Sequence, residues 1–158
     1  MTGSIDAMVA SLEQRIDTIK RESGREKIVI VAHSMGGLVV RAYMAASGTA
    51  SVSRLITLGS PHHGTKLAGL GLFECAGQMR YQGAWIETLT DMEAANPPNV
   101  PTLSIYTLND DLVYPPESSV LEWAENVPVS AVGHVALMFS EPVAKRVIAA
   151  IRKSSGMA

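Results

Sequence analysis

The chain has 158 residues, 47% of them hydrophobic, and a formal net charge of -2, which predicts one soluble globular domain with a real core. The chain has 13 Lys and Arg residues and 15 Asp and Glu residues, so it carries no excess of positive charge that would bind a nucleic-acid backbone. Nucleic acid is therefore not an expected partner. The single cysteine, Cys75, excludes an intramolecular disulfide and a thiolate-rich metal site within one chain.

No apolar run approaches the ~18 residues that span a bilayer. The first residues also lack the basic and apolar regions of a signal peptide. The sequence therefore predicts no membrane span and no targeting signal in the given residues, and the cytoplasm is the default expectation for its compartment.

Predicted helices and strands alternate along the chain. Residues 4–21 place apolar side chains at helical spacing behind the cap residue Ser4, and the β-branched run 27–32 predicts a strand buried on both faces. A second helix is predicted at about 37–47. Three more strands are predicted at 54–58, 102–108 and 127–132, and a last helix follows the cap residue Ser140.

This alternation predicts an α/β fold, mainly a parallel sheet of about four strands with flanking helices. Residues 61–100 differ, because they are rich in Gly, Met and small residues and contain one short helical pattern at Trp85, Ile86 and Leu89. We treat 1–158 as a single domain, with 61–100 as a possible lid or acyl-pocket insertion.

The most specific motif is Ala32-His33-Ser34-Met35-Gly36, between a predicted strand and a predicted helix. It is a nucleophile elbow with alanine in place of the first glycine of G-x-S-x-G. Such a turn holds the serine in a strained conformation that exposes its hydroxyl, and small residues at 32 and 36 let backbone pass close by. We predict Ser34 as the nucleophile and the Met35 N–H as an oxyanion donor; the alternative is a structural turn.

A serine hydroxyl needs a general base, which a third group must orient. In this fold the chain order is serine, acid, histidine. His134 follows the last predicted strand and is the predicted base, with a surface loop histidine as the alternative. His33 immediately precedes the serine, so its side chain should point to the opposite side, and His62 and His63 come before the acid candidates.

The acid is expected just after the strand at 102–108, where Asp110 and Asp111 are adjacent. Asp110 is preferred over Asp111 because it lies three residues before Val113 in the sequence. No structural distance enters this preference. The alternative for either residue is an Asx turn that closes the strand.

Four segments of the chain closely resemble bacterial α/β-hydrolase lipases and esterases of the AHSMGG/GHSMGG type: VAHSMGGLVVR at 31–41, LGSPHHGT at 58–65, DDLVYP at 110–115, and Gly133-His134. The resemblance runs from about residue 4 to about residue 152. It implies hydrolysis of carboxylic esters or acylglycerols, with Ser34 as nucleophile, His134 as general base and acid, and Asp110 orienting the imidazole. The mechanism needs no metal or organic cofactor. An amidase remains possible, since a triad alone does not choose between ester and amide.

The chain departs from this family pattern at its start, because the expected first strands and the loop with the second oxyanion donor have no counterpart before Ser4. Losing one such donor costs roughly 2.7–4 kcal/mol in kcat. The strand at 27–32 would then be an apolar edge, which predicts a homodimer through this edge. The alternative is a truncated, weakly active or inactive module that acts by self-association or partner binding.

The apolar residues within 66–95 suggest a substrate-binding wall or a mobile lid, with ordinary core packing as the competing interpretation. We assign a candidate acyl pocket to Leu72, Phe73, Met79 and Trp85.

Overall fold

The computed structural model describes residues 4–70 and 75–155. Within these residues, four strands form one all-parallel sheet in the order in which they follow along the chain. The strands are β1 (Ile28–His33), β2 (Val52–Leu58), β3 (Thr102–Thr107) and β4 (Glu125–Val129). The helices are α1 (Ile5–Ser23), α2 (Gly36–Ser47), α3 (Ala84–Ala95) and α4 (Glu141–Ser155), and short 3-10 turns cover Lys66–Leu70, Pro116–Ser119 and Val135–Phe139. The predicted α/β fold is confirmed.

Helix α1 begins where the sequence predicts. The Ser4 hydroxyl accepts a hydrogen bond from the Ala7 N–H at 3.1 Å, which satisfies one of the unpaired donors of the first turn. Gly24 ends the helix in the left-handed conformation, at φ 65°, which glycine adopts without a steric penalty. The apolar face between these ends buries Ile5 and Ile16 completely.

Helices cover both faces of the sheet. On one face α1 and α2 pack over residues of β1 and β2, including Ala32 and Leu55. On the other face α4 and the turn Val135–Phe139 cover β2 and β3, through Leu137 and Val143. Residues of β3 are buried throughout, as expected for a central parallel strand.

The last strand is the one predicted element whose position was wrong. It was expected at 127–132, but β4 covers Glu125–Val129. Ala131 has φ 60°, which no β ladder accommodates, and its N–H donates to the Asn109 side chain at 2.9 Å instead of to a strand. Pro128 lies within β4 because an edge strand tolerates a residue without an N–H donor.

Two helices are joined by a buried ion pair. Arg41 on α2 donates to both carboxylate oxygens of Glu93 on α3, at 2.8 and 2.6 Å, and also to the His62 carbonyl at 2.7 Å. Both side chains are almost fully buried, so removal of either one would leave an unpaired buried charge, at a cost of about 3–5 kcal/mol. The pair fixes α2, α3 and the segment 61–65 relative to one another.

The start of α2 approaches β2 so closely that Gly37 has no room for a side chain. A Cβ atom at Gly37 would lie 2.6 Å from the Ser60 Cβ and 3.2 Å from the Thr57 Cγ2. At Gly36, a Cβ would make only an ordinary contact of 3.6 Å with the Ala32 Cβ. The close approach therefore depends on Gly37.

We expect Gly37→Ala to lower the free energy of unfolding by about 1–3 kcal/mol, because the added methyl overpacks a buried contact. Urea unfolding at neutral pH measures this change. Gly77→Ala is the matched control, since a Cβ at Gly77 meets nothing within 4 Å. Equal stability of the two variants would contradict the expectation.

Candidate active site

Ser34 occupies the turn between β1 and α2. Its φ is 55°, a conformation that non-glycine residues rarely adopt and that is typical of strained functional sites; the predicted strain at the elbow is thus observed. The Ser34 N–H donates to the Leu58 carbonyl at 2.9 Å, which attaches the turn to the end of β2. Met35 is the N-cap residue of α2, so its N–H lies at the positive end of the helix dipole.

His134 and Asp110 form a buried hydrogen-bonded pair. The His134 Nδ1 lies 2.9 Å from the Asp110 Oδ2, and each side chain is 1% exposed. An ionised carboxylate only accepts hydrogen bonds, so Nδ1 carries a hydrogen, and in the neutral form of the ring the lone pair is on Nε2. Among the residues described, Nε2 has no hydrogen-bond partner although it is buried. A lone pair held in this way is available to accept a proton.

The two adjacent aspartates hold different parts of His134. Asp110 binds the ring, and its other oxygen accepts the N–H groups of Leu112 at 2.9 Å and Val113 at 2.7 Å. Burial raises the pKa of Asp110, but the bonds from His134, Val113 and Leu112 together outweigh burial and lower that pKa below its ordinary value. Asp111 accepts the backbone N–H of His134 at 3.2 Å.

The loop that carries His134 is held by residues that the sequence analysis did not identify. The Thr107 hydroxyl donates to the Val132 carbonyl, and the Asn109 side chain accepts the Ala131 N–H. A Cβ atom at Gly59 would lie 3.2 Å from the His134 Nδ1, so glycine is needed there for the imidazole to approach β2. The position of Gly59 directly after a strand was the only signal in the sequence.

The sequence analysis expected the His33 side chain to point away from the site, and this expectation was wrong. Its ring centroid lies 4.7 Å from that of His134, with the rings tilted by 51°. Its Nε2 lies 3.2 Å from the His134 carbonyl oxygen. The expectation failed because the left-handed turn at Ser34 breaks the alternation of sides that a strand would impose.

His62 is a structural residue. It is fully buried, and its Nε2 lies 3.1 Å from the Thr57 hydroxyl. Burial, followed by the nearby charge of Arg41, lowers the pKa of His62 well below its ordinary value, which keeps the ring neutral. His63 is partly exposed, and its N–H donates to the Ser118 carbonyl at 3.0 Å.

Thr65 ties the same segment to the loop that carries the acid. Its hydroxyl donates to the Leu112 carbonyl at 3.1 Å and accepts the Tyr114 N–H at 3.0 Å. Because Leu112 also donates to Asp110, this one hydroxyl supports the loop on which the carboxylate sits.

Two of the four candidate pocket residues are among those that the structure describes. Leu72 and Phe73 lie outside the described residues. Met79 is 2% exposed and belongs to the core cluster against which Met35 packs. Trp85 lines an apolar cleft of about 300 Å³ between α1, α2 and α3, and neither Ser34 nor His134 lines that cleft.

The described residues contain neither a metal-binding cluster nor a helix that could cross a membrane. No group of three or more His, Cys, Asp or Glu side chains in 4–70 and 75–155 is placed to hold a metal ion. No helix within the same ranges is both long enough and apolar enough to cross a membrane.

Solved structures of hydrolases share this fold. The mature form of lipase BlEst2 from Bacillus licheniformis superposes with a TM-score of 0.73 at 18% identity, covering 91% of this chain and 74% of the lipase. MGS-MChE2, an alpha/beta hydrolase enzyme from a sediment metagenome of the Mar Chica lagoon, Morocco, has a TM-score of 0.66 at 18% identity, covering 99% of this chain and 73% of that enzyme. The chain therefore has the α/β-hydrolase fold.

Similarity in sequence covers a short stretch in one relative and most of the chain in a family model. Phospholipase A(1) LCAT3 of Arabidopsis thaliana is 35% identical over 63 residues, which cover 38% of this chain and 14% of the length of that enzyme. The model of the family described as PGAP1-like alpha/beta domain matches residues 5–142, nearly the whole folded unit. This chain belongs to the PGAP1-like alpha/beta domain family.

Proposed function

We propose that the protein is a serine hydrolase that cleaves carboxylic esters through an acyl-enzyme, with Ser34, His134 and Asp110 as the catalytic residues. The observation that carries the proposal is the buried His134–Asp110 pair, in which the His134 Nε2 has no hydrogen-bond partner within residues 4–70 and 75–155. Ser34 stands one residue beyond His33, whose ring contacts His134. The strained serine therefore directly follows the β1 residue that contacts the buried base, which supports a shared site at this end of the sheet.

Acyl transfer from this arrangement follows two matched steps. The Ser34 hydroxyl oxygen attacks the ester carbonyl carbon while its proton passes to the His134 Nε2, and the Met35 N–H stabilises the negative oxygen of the tetrahedral intermediate. His134 then gives the proton to the leaving alcohol as the C–O bond breaks. Water repeats the sequence on the acyl-enzyme and releases the acid. Asp110 stays ionised throughout and holds the proton-bearing Nδ1 of the imidazole.

A lipid ester or acylglycerol is the proposed substrate class. It is supported by the fold shared with a Bacillus lipase and by the local similarity to a plant phospholipase A(1). An amide substrate is the competing possibility. Parallel assays on matched p-nitrophenyl esters and p-nitroanilides distinguish the two, and faster anilide cleavage would contradict the ester proposal.

The direct test combines turnover with covalent labelling. We expect the purified protein to hydrolyse short and medium p-nitrophenyl esters and to react with a fluorophosphonate at Ser34, located by peptide mass. Ser34→Ala should do neither. A folded wild-type protein that neither turns over nor takes up the label would sink the proposal.

The open edge of the sheet favours a second function, association with another copy of the chain. Among the described residues β1 pairs only with β2, and Val31 within β1 is 46% exposed. An apolar strand edge with unpaired backbone groups is a template for pairing with another strand.

This association predicts a dimer in sedimentation velocity at micromolar concentration. We expect Val31→Lys to shift the protein toward the monomer, because charges on an edge strand oppose pairing. Ile148→Lys on α4 is the matched control, since Ile148 is similarly exposed, at 50%, but lies outside the edge. A wild-type protein that sediments only as a monomer rules out pairing through β1.

A further inference from the structure

The residue before the serine makes two separate contacts with His134. The ring of His33 lies against the His134 ring, at 4.7 Å between centroids. Its Nε2 also lies 3.2 Å from the His134 carbonyl oxygen. Because a carbonyl oxygen only accepts hydrogen bonds, the His33 Nε2 carries a hydrogen and donates it.

Hydrogen bonds join His134 to three residues from earlier parts of the chain. Asp111 accepts its backbone N–H, His33 donates to its backbone carbonyl, and Asp110 accepts from its Nδ1. The residue before it is Gly133, whose backbone is the least restricted of any residue type. The His134 carbonyl also accepts the Leu137 N–H of the turn that follows it, at 3.4 Å, whereas the shorter bond from His33 joins this carbonyl to the end of β1.

We propose that His33 is a positioning residue for acyl transfer: its bond to the His134 carbonyl and its ring contact hold the imidazole so that Nε2 stays within reach of the Ser34 hydroxyl. This inference rests on the proposed function. Its physical basis is that a misplacement of about 1 Å at a reacting group can cost around a hundredfold in rate.

The charge of His33 agrees with this role. Burial lowers the pKa of His33, and the nearby His134 ring lowers it further. The His134 carbonyl and the Asp110 carboxylate act in the opposite direction without reversing the shift. A neutral His33 adds no like charge beside His134 when that ring takes up the serine proton.

Substitution by Gln and by Asn separates positioning from general damage. The Gln side chain carries an N–H donor at about the reach of the histidine Nε2, whereas the shorter Asn side chain does not reach the carbonyl. We expect His33→Asn to lower kcat about tenfold with KM within about twofold, since His33 does not contact substrate in this scheme, and His33→Gln to recover most of the loss. The rate of fluorophosphonate labelling should follow kcat in both variants.

A second measurement does not depend on activity. The Nδ1 proton of His134, bonded to Asp110, should give a downfield proton NMR signal that broadens in His33→Asn, as the ring gains freedom, and persists in His33→Gln. Unchanged kcat in His33→Asn, or equal loss in both variants, overturns the positioning role. If the wild-type protein neither turns over nor is labelled, the proposed function fails, and the NMR comparison alone then decides whether His33 fixes the ring.

Discussion

Replacing Ser34 by Ala should lower kcat for p-nitrophenyl ester hydrolysis by roughly four to six orders of magnitude, and replacing His134 by Ala should do the same. Each change removes one end of the same proton transfer, because the hydroxyl is a poor nucleophile without the imidazole and the imidazole has no covalent role without the hydroxyl. The double variant should be no slower than either single variant, since residues that act as one unit have non-additive effects.

Controls for this experiment come from the chain itself. Ser11→Ala changes an exposed serine on α1 that bonds only within its own helix, and His63→Ala changes a histidine of the 61–65 segment with no assigned role. We expect both to keep kcat within about tenfold of wild type. Circular dichroism and urea unfolding check that Ser34→Ala and His134→Ala remain folded. Additive losses in the double variant would show that the two side chains do not act in one step.

The elements were predictable from the sequence because their local signals agree with their tertiary roles. The β1 run is apolar on both faces and its position was predicted, but the expected burial on both faces was wrong, because β1 pairs only with β2 among the described residues and Val31 is exposed. The turn that follows has the residue types of an elbow. The position of β4 was not predictable, because it depends on where Ala131 leaves the ladder to bond the Asn109 side chain. That contact joins residues 22 apart, and no periodicity encodes it.

The positions of the candidate site residues along the chain could be proposed from the sequence to a similar extent. The order of serine, acid and histidine follows from the fold, and the histidine loop could be located once the strands were placed. The residues that support the site could not be predicted. The contacts of Gly59, Thr65 and His33 join different elements of the fold, and no spacing along the chain indicates them. Met79 was assigned to a substrate pocket but lies in a core cluster. An apolar residue has the same sequence pattern in a core as in a pocket, so the sequence could not distinguish the two.

Replacing Asp110 by Asn should cost about four orders of magnitude in kcat, whereas Asp111→Asn should cost less than about tenfold. Asp110 accepts from the His134 ring, so an amide in its place disfavours the required tautomer and loses the charge that stabilises the imidazolium. Asp111 accepts only a backbone N–H, and the amide oxygen of Asn accepts that bond equally well.

The lowered pKa of Asp110 gives Asp110→Asn a second, independent readout. Its carboxylate favours the folded state above the ordinary unfolded pKa of about 3.9, and that contribution is lost as the pH falls through the lower folded value. Asp110→Asn should therefore flatten the pH dependence of unfolding in this acid range. If Asp111→Asn instead abolishes turnover and Asp110→Asn does not, the second carboxylate is the orienting acid, and the ring must leave Asp110 before it accepts the serine proton.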